Sequence, residues 1–410
     1  MSTSGELEAR ATAAFATQFG FQPTALGIAP GRVELLGNHT DYNGGLVMAV
    51  AIDRFTVVAG RPSTGRSCRA HAVNFLGNVS FDLDKLERSE SGDWPNYVKG
   101  VMWAIQEAEG TPLTSGFDIT IAGNVPLGAG LSSSASLEAA LAFFLLQAGL
   151  VPGRAIGHYR GDSADPARLK LAQVLRRSEN AFVGVASGLL DQFSCLFGRA
   201  HHAVYLDCET LEHARLPLGE PGPAIIVCDS KTSRRLADGM YNRRRAECET
   251  VVAYFQGQRG FDAVKSLRDV SLEELTEHWD RLDPVGRKRA RHVLAENERV
   301  RKGAVALRAG DLVEFGRLVS ASHASSRDEF ENSSEALDTL VEAAEASPGF
   351  LGGKLSGAGW AGCTVNLVRV DQAAAFAESV RTAAARKLGI TPEIHICHAA
   401  EGALGRDLRL

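Results

Sequence analysis

The sequence lacks the features that mark several classes of protein. Its 410 residues contain no basic tract and no acidic tail, and the formal net charge is −5. Such a chain carries no electrostatic footprint for nucleic acid or for an anionic membrane surface. The most apolar stretch, residues 139–150, is too short to span a bilayer. We therefore expect no nucleic-acid partner and no membrane insertion.

Cysteine pairs and targeting signals are also missing. The seven cysteines are scattered, and no C-x-x-C pair occurs, so neither a disulfide framework nor a zinc site is implied. The first 21 residues mix charges through an amphipathic helical pattern instead of the basic and then apolar pattern of a signal peptide. These features predict a soluble, cytoplasmic protein with reduced thiols. We expect a monomer or a weak homo-oligomer.

Hydrophobic patterning predicts a β-rich first half and an α+β second half, with no regular βαβ series in either. We predict strands within 56–58, 117–121, 363–370 and 392–399, and helices within 96–108, 134–147, 241–347 and 371–388. In the long helical stretch, Gly310-Asp311 marks a break. Short strand-like runs after a compact helix favour a boundary near residue 205, which gives domains 1–205 and 206–410.

Residues 29–54 place a dense set of polar side chains between two apolar runs. The set consists of Arg32, Glu34, Asn38, His39, Asp41, Tyr42 and Asn43. Buried cores are not built from such residues, so the segment is a candidate ligand site. The glycines of Asn43-Gly44-Gly45 permit positive φ and bring backbone N–H groups close to a ligand. A polar hairpin loop is the alternative that the pattern leaves open.

Residues 124–136, NVPLGAGLSSSAS, form a glycine- and serine-rich loop that runs into an apolar helical pattern. Glycines let the backbone approach an anion, and a helix N-terminus offers free N–H groups and the positive end of its dipole. The alternative is a helix with an ordinary N-cap, which needs fewer serines. The segment therefore predicts a phosphate site. It is not a Walker A loop, because G-x-x-x-x-G-K-[ST] does not occur in the chain.

A second glycine motif, at 357–362, satisfies G-x-G-x-x-G but leads into an alternating apolar strand. A dinucleotide fingerprint opens a helix instead, so the Rossmann interpretation fails on context. An NAD-dependent oxidoreductase would rest on this motif alone. A glycine-rich loop before a strand can still line a pocket from a second domain.

Three motifs together resemble the galactokinases of the GHMP small-molecule kinase family. They are APGRVELLGNHTDYNGG at 29–45, PLGAGLSSSAS at 126–136 and KLSGAGWAGC at 354–363, in the family's order and approximate spacing. The resemblance implies a two-domain α+β fold with the active site between the domains. The N-terminal domain would be like domain 2 of ribosomal protein S5, and the C-terminal domain would be ferredoxin-like. The implied activity is ATP- and Mg²⁺-dependent phosphorylation of the C1 hydroxyl of galactose.

The resemblance also implies roles for individual residues. Asp191 would be the catalytic aspartate and would pair with Arg32, while Glu179 and Ser134 would hold Mg²⁺. The implied sugar-binding residues are Asn38, His39, Asp41, Gly188 and Tyr241. The implied ATP-binding residues are Trp94, Gly128, Ala129, Gly130, Leu131, Ser132, Ser133, Ser134 and Ala135. The spacing of Glu179 and Asp191 alone does not decide whether these carboxylates are functional or simply exposed to solvent.

Asn38 departs from the family, which usually has a glutamate there that is understood to bind the sugar's 6-hydroxyl. Asparagine keeps an acceptor but loses the charge, and a charge-assisted hydrogen bond contributes about 1.5–3 kcal/mol against about 0.5–1.5 for a neutral one. We expect galactose to be accepted with weaker discrimination at C6. The alternatives left open are a 1-kinase for galacturonate or N-acetylgalactosamine and a non-catalytic sugar sensor.

Overall fold

Two β-sheets and the helices packed on them form the framework of the protein. The computed structural model describes residues 4–74, 77–90, 94–153, 166–185, 187–232, 239–258, 260 and 262–409. Its strands are β1 (Ala25–Leu36), β2 (Leu46–Pro62), β3 (Ser67–Ala72), β4 (Gly77–Asp82), β5 (Phe117–Gly123), β6 (His202–Asp207), β7 (His213–Pro217), β8 (Ala224–Asp229), β9 (Phe350–Leu355), β10 (Cys363–Val368), β11 (Glu393–Cys397) and β12 (Leu404–Asp407).

The helices lie between these strands, and the second half of the chain holds the longest of them. They are α1 (Ser4–Phe19), α2 (Pro95–Glu109), α3 (Ser133–Gln147), α4 (Pro166–Arg177), α5 (Leu190–Phe197), α6 (Met240–Gln256), α7 (Leu272–Glu277), α8 (Pro284–Arg308), α9 (Leu312–Ser325), α10 (Glu335–Glu345) and α11 (Ala373–Leu388). Two π-helical turns, Ser178–Val183 and Ser326–Phe330, extend α4 and α9. π-turns inside helices are frequent at functional sites.

The larger sheet has eight strands in the order β12-β1-β2-β5-β3-β4, with β6 paired to β2 and β7 paired to β6. Its centre is the long antiparallel pair of β1 and β2, which runs from Ala25 opposite Gly60 to Leu36 opposite Met48. The smaller sheet has the order β11-β8-β10-β9, and its pairings are antiparallel. Among the described residues β3 and β5 pair in parallel, with α2 in their connection, but neither sheet contains a regular βαβ series, as the sequence predicts.

The domain boundary near residue 205 stays a prediction, and sheet membership is the observation that bears on it. Strands β6 and β7 pair into the larger sheet, so this sheet extends to Pro217. Strands β8 to β11 form the smaller sheet. The last strand, β12, then returns to pair with β1. The chain therefore contributes to the larger sheet from both of its ends.

Most of the helices and strands predicted from the sequence are confirmed. The break at Gly310-Asp311 separates α8 from α9, and the Asp311 carboxylate caps α9 by accepting from the backbone N of Glu314 at 2.9 Å. The expectation of nearly continuous helix over 241–347 is wrong between α6 and α8. In the described part of this interval only α7 and two short 3₁₀ turns occur, because Gly, Ser and Asp residues repeatedly end and cap the helices.

None of the seven cysteines, which all lie in the described part of the chain, forms a disulfide, and six of them are buried. Burial raises the pKa of Cys228 to about 12, so this side chain is a neutral thiol that packs as a small apolar group. No helix in the described part of the chain combines the length and the apolar character needed to cross a membrane.

Strand β1 lies close to helix α3 because Gly27 carries no side chain. A Cβ atom at Gly27 would lie 1.8 Å from the Ala140 carbonyl oxygen and 2.5 Å from the Phe144 backbone N. Helix α3 buries its residues 138–145. Because α3 begins at the glycine- and serine-rich loop, this contact sets the position of that loop relative to Arg32 on β1.

We expect Gly27→Ala to destabilise the protein by about 1–3 kcal/mol or more, because the added methyl forces β1 away from α3. Gly257→Ala is a matched control, since its nearest heavy atoms lie at 3.4 and 3.7 Å and its φ is −78°. That control should change stability by less than about 0.5 kcal/mol. Urea unfolding measures both midpoints, and equal midpoints for the two variants would contradict the packing described above.

Candidate active site

A cavity of about 520 Å³ gathers residues from remote parts of the chain. The predicted residues that line it are Arg32, Asn38, His39, Asp41, Gly128, Gly130, Leu131, Ser132, Ser133, Ser134, Glu179, Gly188, Asp191 and Tyr241. The loop between β9 and β10 closes the cavity with Gly357, Ala358 and Gly359. All three sequence motifs therefore meet at one site.

A second cavity, of about 350 Å³, adjoins the first and shares Tyr97, Ser133 and Ser134 with it. Trp94 lines this second cavity together with apolar residues that include Leu127. An aromatic and apolar wall beside a glycine- and serine-rich loop suits a planar base attached to phosphates. Two predicted ATP-binding residues, Ala129 and Ala135, line neither cavity, and their side chains are buried in hydrophobic clusters.

The Asp191 carboxylate is held from two sides at the cavity wall. Arg32 donates to Asp191 Oδ1 from Nε at 2.9 Å and from Nη2 at 2.5 Å. Ser132 Oγ donates to Asp191 Oδ2 at 2.6 Å. Ser132 adopts a left-handed conformation with φ 55°, which is uncommon for a residue other than glycine and is typical of functional sites. The family resemblance implies the contact between Arg32 and Asp191, but no sequence pattern implies the contact with Ser132.

Arg32 also fixes the glycine- and serine-rich loop. Its Nη1 donates to the Gly130 carbonyl at 2.7 Å, and its backbone N donates to the Leu131 carbonyl at 3.1 Å. Burial acts to lower the pKa of Arg32, but Asp191 and Glu34 together raise it above its usual value. The cavity therefore contains a permanent cation beside a carboxylate, which is the charge arrangement that phosphoryl transfer needs.

Glu179 lies where the sequence predicts a Mg²⁺ ligand. Ser134 Oγ donates to Glu179 Oε1 at 3.1 Å, and Ser187 Oγ and Gln192 Nε2 donate to Oε2 at 2.6 and 2.8 Å. Burial raises the pKa of Glu179, and the nearby Asp191 charge acts in the same direction. A buried carboxylate without a basic partner among the described residues, next to a hydroxyl, fits a hard cation such as Mg²⁺.

The described residues contain no group of three or more His, Cys, Asp or Glu side chains arranged to hold a metal ion. Glu179 and Ser134 would therefore supply only part of a Mg²⁺ coordination shell. Nucleotide phosphate oxygens and water complete such shells in phosphoryl-transfer sites. The residues present fit a cation that arrives with a nucleotide.

On the predicted sugar side, Asp41, Gly188 and Tyr241 come together. Asp41 approaches Gly188 so closely that a Cβ at that glycine would lie 1.8 Å from Asp41 Oδ2. Glycine at 188 thus makes room for the carboxylate. The Tyr241 ring, at the start of α6, lies 5.3 Å between centroids from the His39 ring, which is tilted against it, and 5.3 Å from the Tyr42 ring, which meets it edge-on.

His39 connects the 29–45 motif to the loop between β9 and β10. Its Nε2 lies 2.9 Å from the Ala358 carbonyl, which only accepts, so Nε2 carries the proton and donates. Its Nδ1 then accepts from the Tyr42 hydroxyl at 2.8 Å. Burial lowers the pKa of His39 to about 3, so the ring is neutral at pH 7. Both ring nitrogens are engaged within the protein.

Asn38 is 1% exposed, and its amide is fully hydrogen-bonded within the protein. Its Nδ2 donates to Glu34 Oε1 at 3.0 Å and to the Gly357 carbonyl at 2.8 Å. Its Oδ1 accepts from Asn332 Nδ2 at 2.9 Å and from Ser326 Oγ at 3.2 Å. The role of Asn38 as a sugar ligand stays a prediction, and its amide has no donor or acceptor left over.

Several cavity residues were not assigned a role from the sequence. Glu34 shares a face of β1 with Arg32 because side chains two apart in a strand point the same way, a signal that the sequence contains. The sequence pattern marks 357–362 as a glycine motif but does not identify Gly357 and Gly359 as site residues. Tyr97 and Ser187 reach the cavity only through tertiary packing, and no local pattern marks them.

Comparison with known proteins gives the family. The sequence matches the galactokinase galactose-binding signature over residues 13–62, the GHMP kinases N terminal domain over 96–199 and the GHMP kinases C terminal over 304–386. A galactokinase from Roseiflexus sp. (strain RS-1) is 42% identical over 404 residues, which cover 98% of this chain and 97% of that protein. The chain belongs to the galactokinase family.

Further galactokinases extend the match. The galactokinase of Chloroflexus aurantiacus is 39% identical over 391 residues, 95% of each chain. The crystal structure of Lactococcus lactis galactokinase complexed with galactose superposes with a TM-score of 0.87 at 34% identity and covers 97% of this chain and 99% of that chain. Mevalonate kinase from Methanococcus jannaschii, at 15% identity and a TM-score of 0.62, covers 92% and 98% and shares the fold alone. The predicted α+β GHMP kinase fold is confirmed.

Asp41 should make the stability of the free protein depend on pH. Burial raises its pKa to about 7, and the charges of Glu34 and Asp191 add to the shift, whereas an unfolded aspartate titrates near 3.9. Between these values only the folded state retains the proton, so the free energy of unfolding falls as the pH rises. We expect the stability of Asp41→Asn, relative to the wild type, to increase between about pH 4 and 7 and to level off above.

Urea unfolding of both proteins at several pH values measures this difference. Its total change should reach at least about 1.4 kcal/mol, the equivalent of one pKa unit. Other titrating groups cancel because they are common to both proteins. A difference that stays constant across the range would contradict the burial of Asp41 as a protonated acid.

Proposed function

We propose that this protein is an ATP- and Mg²⁺-dependent galactokinase that transfers the γ-phosphoryl group of ATP to the C1 hydroxyl of galactose. The observation that carries the proposal is the Arg32–Asp191 pair, which faces a cavity lined also by the glycine- and serine-rich loop. The relatives compared above are galactokinases, and the Lactococcus lactis protein was crystallised with galactose.

In the proposed reaction the C1 oxygen of the sugar attacks the γ-phosphorus and its proton passes to the Asp191 carboxylate. The bond from the γ-phosphorus to the bridging oxygen breaks, and ADP leaves with the bonding electrons. Arg32 and Ser132 orient Asp191 through its two oxygens. The Arg32 guanidinium also stabilises the negative charge on the transferred phosphoryl group.

The remaining assignments follow the walls of the two cavities. On the sugar side we propose Asp41, Gly188 and Tyr241 as contacts, with Asn38 and His39 forming the wall behind them. The backbone of residues 128–135 and the N-terminus of α3 would bind the phosphates of ATP, and Trp94 would lie beside the base. Ser134 and Glu179 would hold Mg²⁺, which neutralises phosphate charge when it is bound.

The proposal keeps the division into domains 1–205 and 206–410 with the site between them. It also includes a cytoplasmic location and a monomer or a weak homo-oligomer, with no nucleic-acid or membrane partner. These parts rest on the composition and patterning of the chain.

The decisive experiment measures ADP release with galactose as acceptor. Asp191→Asn keeps the shape of the side chain but removes the proton acceptor, so kcat should fall about 10²–10⁴-fold, the usual contribution of a general base. Asp280→Asn, at a carboxylate that is 98% exposed, is the matched control and should retain wild-type activity. A wild type that binds galactose without transferring phosphate, or an Asp191→Asn variant with unchanged kcat, would refute the proposal.

The metal assignment has its own test. Ser134→Ala and Glu179→Gln each remove one proposed oxygen ligand, so the Mg²⁺ concentration for half-maximal activity should increase at least about tenfold. Ser63→Ala serves as the control, because the Ser63 hydroxyl donates to the Ser67 carbonyl between β2 and β3 and lines neither cavity. Mg²⁺ titration curves that coincide for all three variants and the wild type would place the cation elsewhere.

A further inference from the structure

A glutamate at position 38 could bind the sugar, but Asn38 cannot, because every hydrogen-bonding position of its amide is already used within the protein. A side-chain amide has two donor hydrogens and an oxygen that accepts two bonds. In Asn38 both donors bond to Glu34 and Gly357, and the oxygen accepts from Asn332 and Ser326. Taking up a sugar hydroxyl would leave one of these buried partners unsatisfied, at a cost of about 1–3 kcal/mol.

Glu34 is the neighbouring carboxylate with an oxygen to spare. Its Oε1 accepts from Asn38 Nδ2 and from the Lys354 ammonium. None of the described residues donates a hydrogen bond to its Oε2. The side chain lines the cavity although it is only 7% exposed. Glu34 therefore presents an unused acceptor at the wall where Asn38 presents none.

An ion pair with Lys354 stabilises the negative charge of Glu34. The Lys354 side chain is 0% exposed and forms an ion pair with Glu34 from strand β9. Removing one partner of a buried ion pair leaves a buried charge without compensation, which is strongly unfavourable. Lys354 does not itself line the cavity, so a ligand meets the carboxylate and not the ammonium.

The position of Glu34 along β1 suits a second group of the same bound sugar. Arg32 and Glu34 lie two residues apart in a regular stretch of the strand, opposite Ala51 and Ala49, so their side chains share a face. At about 3.3 Å per residue their Cα atoms are about 6.6 Å apart. That spacing lets the two side chains contact different groups of one bound sugar. Glu34 lines the same cavity as Asp41 and Tyr241, the proposed sugar contacts.

We propose that Glu34, and not Asn38, accepts a hydrogen bond from the 6-hydroxyl of the sugar, and that its charge excludes sugars with a carboxylate at C6. The inference rests on the proposed function and makes it more specific. It reverses the expectation drawn from Asn38 alone, since the carboxylate missing at position 38 is supplied four residues earlier. The enzyme should therefore discriminate strongly between galactose and galacturonate.

The test compares galactose with galacturonate in the wild type and in Glu34→Gln. Glutamine preserves size and an acceptor but removes the charge, so kcat/KM for galactose should fall about tenfold, mainly through KM. Galacturonate should become a better substrate, because the repulsion is gone and the Lys354 ammonium attracts its carboxylate. The preference for galactose, expressed as the ratio of the two kcat/KM values, should therefore shrink by more than tenfold.

A second variant protects the test against misfolding. Glu34→Gln leaves Lys354 unpaired, whereas Glu34→Gln combined with Lys354→Met removes both charges and leaves no buried ion alone. The double variant should also lose preference for galactose, but by less than the single variant because no ammonium attracts galacturonate. Glu345→Gln, an exposed glutamate at the end of α10, is the matched control and should keep the wild-type ratio.

A merely structural role for Glu34 would lower activity on both sugars in parallel and leave the ratio unchanged, which would overturn the inference. An Asn38→Ala variant that abolishes the preference for galactose would also overturn it. Calorimetric binding of the two sugars gives the same comparison without turnover. A wild type that binds galactose but releases no ADP would refute the proposed function. The ratio of the galactose and galacturonate affinities would still test the role of Glu34.

Discussion

The contact between Arg32 and Asp191 is the interaction on which the rest of the site depends. Arg32 lies on β1 and Asp191 lies in the first turn of α5, and they are 159 residues apart in the chain. The same guanidinium bonds to the Gly130 carbonyl, so one side chain holds a strand, a helix and the phosphate loop together. Desolvating such a pair is costly, and its retention fits a requirement for fixed charge at the reacting centre.

A second constraint is the buried polar network behind Asn38. Glu296 accepts from the backbone N of Gly37 and from Ser322 Oγ, and His292 Nε2 donates to the Asn38 carbonyl. Burial opposes ionisation of Glu296, but Arg299 and the other nearby donors and charges lower its pKa to about 2. Buried polar networks of this kind favour one arrangement of their groups, although Arg299 Nη2 has no hydrogen-bond partner among the described residues. Helix α8 thereby fixes the backbone of the 29–45 motif at Gly37 and Asn38.

Much of this protein could be predicted from its sequence, and the misses share a cause. Helices such as α3 and strands such as β5 follow local periodicity, and glycine and serine patterns identify the phosphate loop. The interval between α6 and α8 is predicted as helix together with its neighbours, but its Ser and Asp residues cap short helical turns instead. Ala129 and Ala135 belong to the loop motif in sequence, yet their side chains turn into hydrophobic clusters. Local patterns do not say which side of a loop faces a cavity.

The sequence by itself determined which chemical groups the site contains: a guanidinium, carboxylates, hydroxyls and glycines at the spacing of a phosphate-handling enzyme. Only the tertiary structure decided which of their atoms are free. Three of the four hydrogen bonds that saturate the Asn38 amide go to Gly357, Ser326 and Asn332, which lie between 288 and 319 residues further along the chain. Glu34 retains an unused oxygen at the cavity. Hydrogen-bond saturation depends on partners that are remote in sequence, so no local pattern could reveal it.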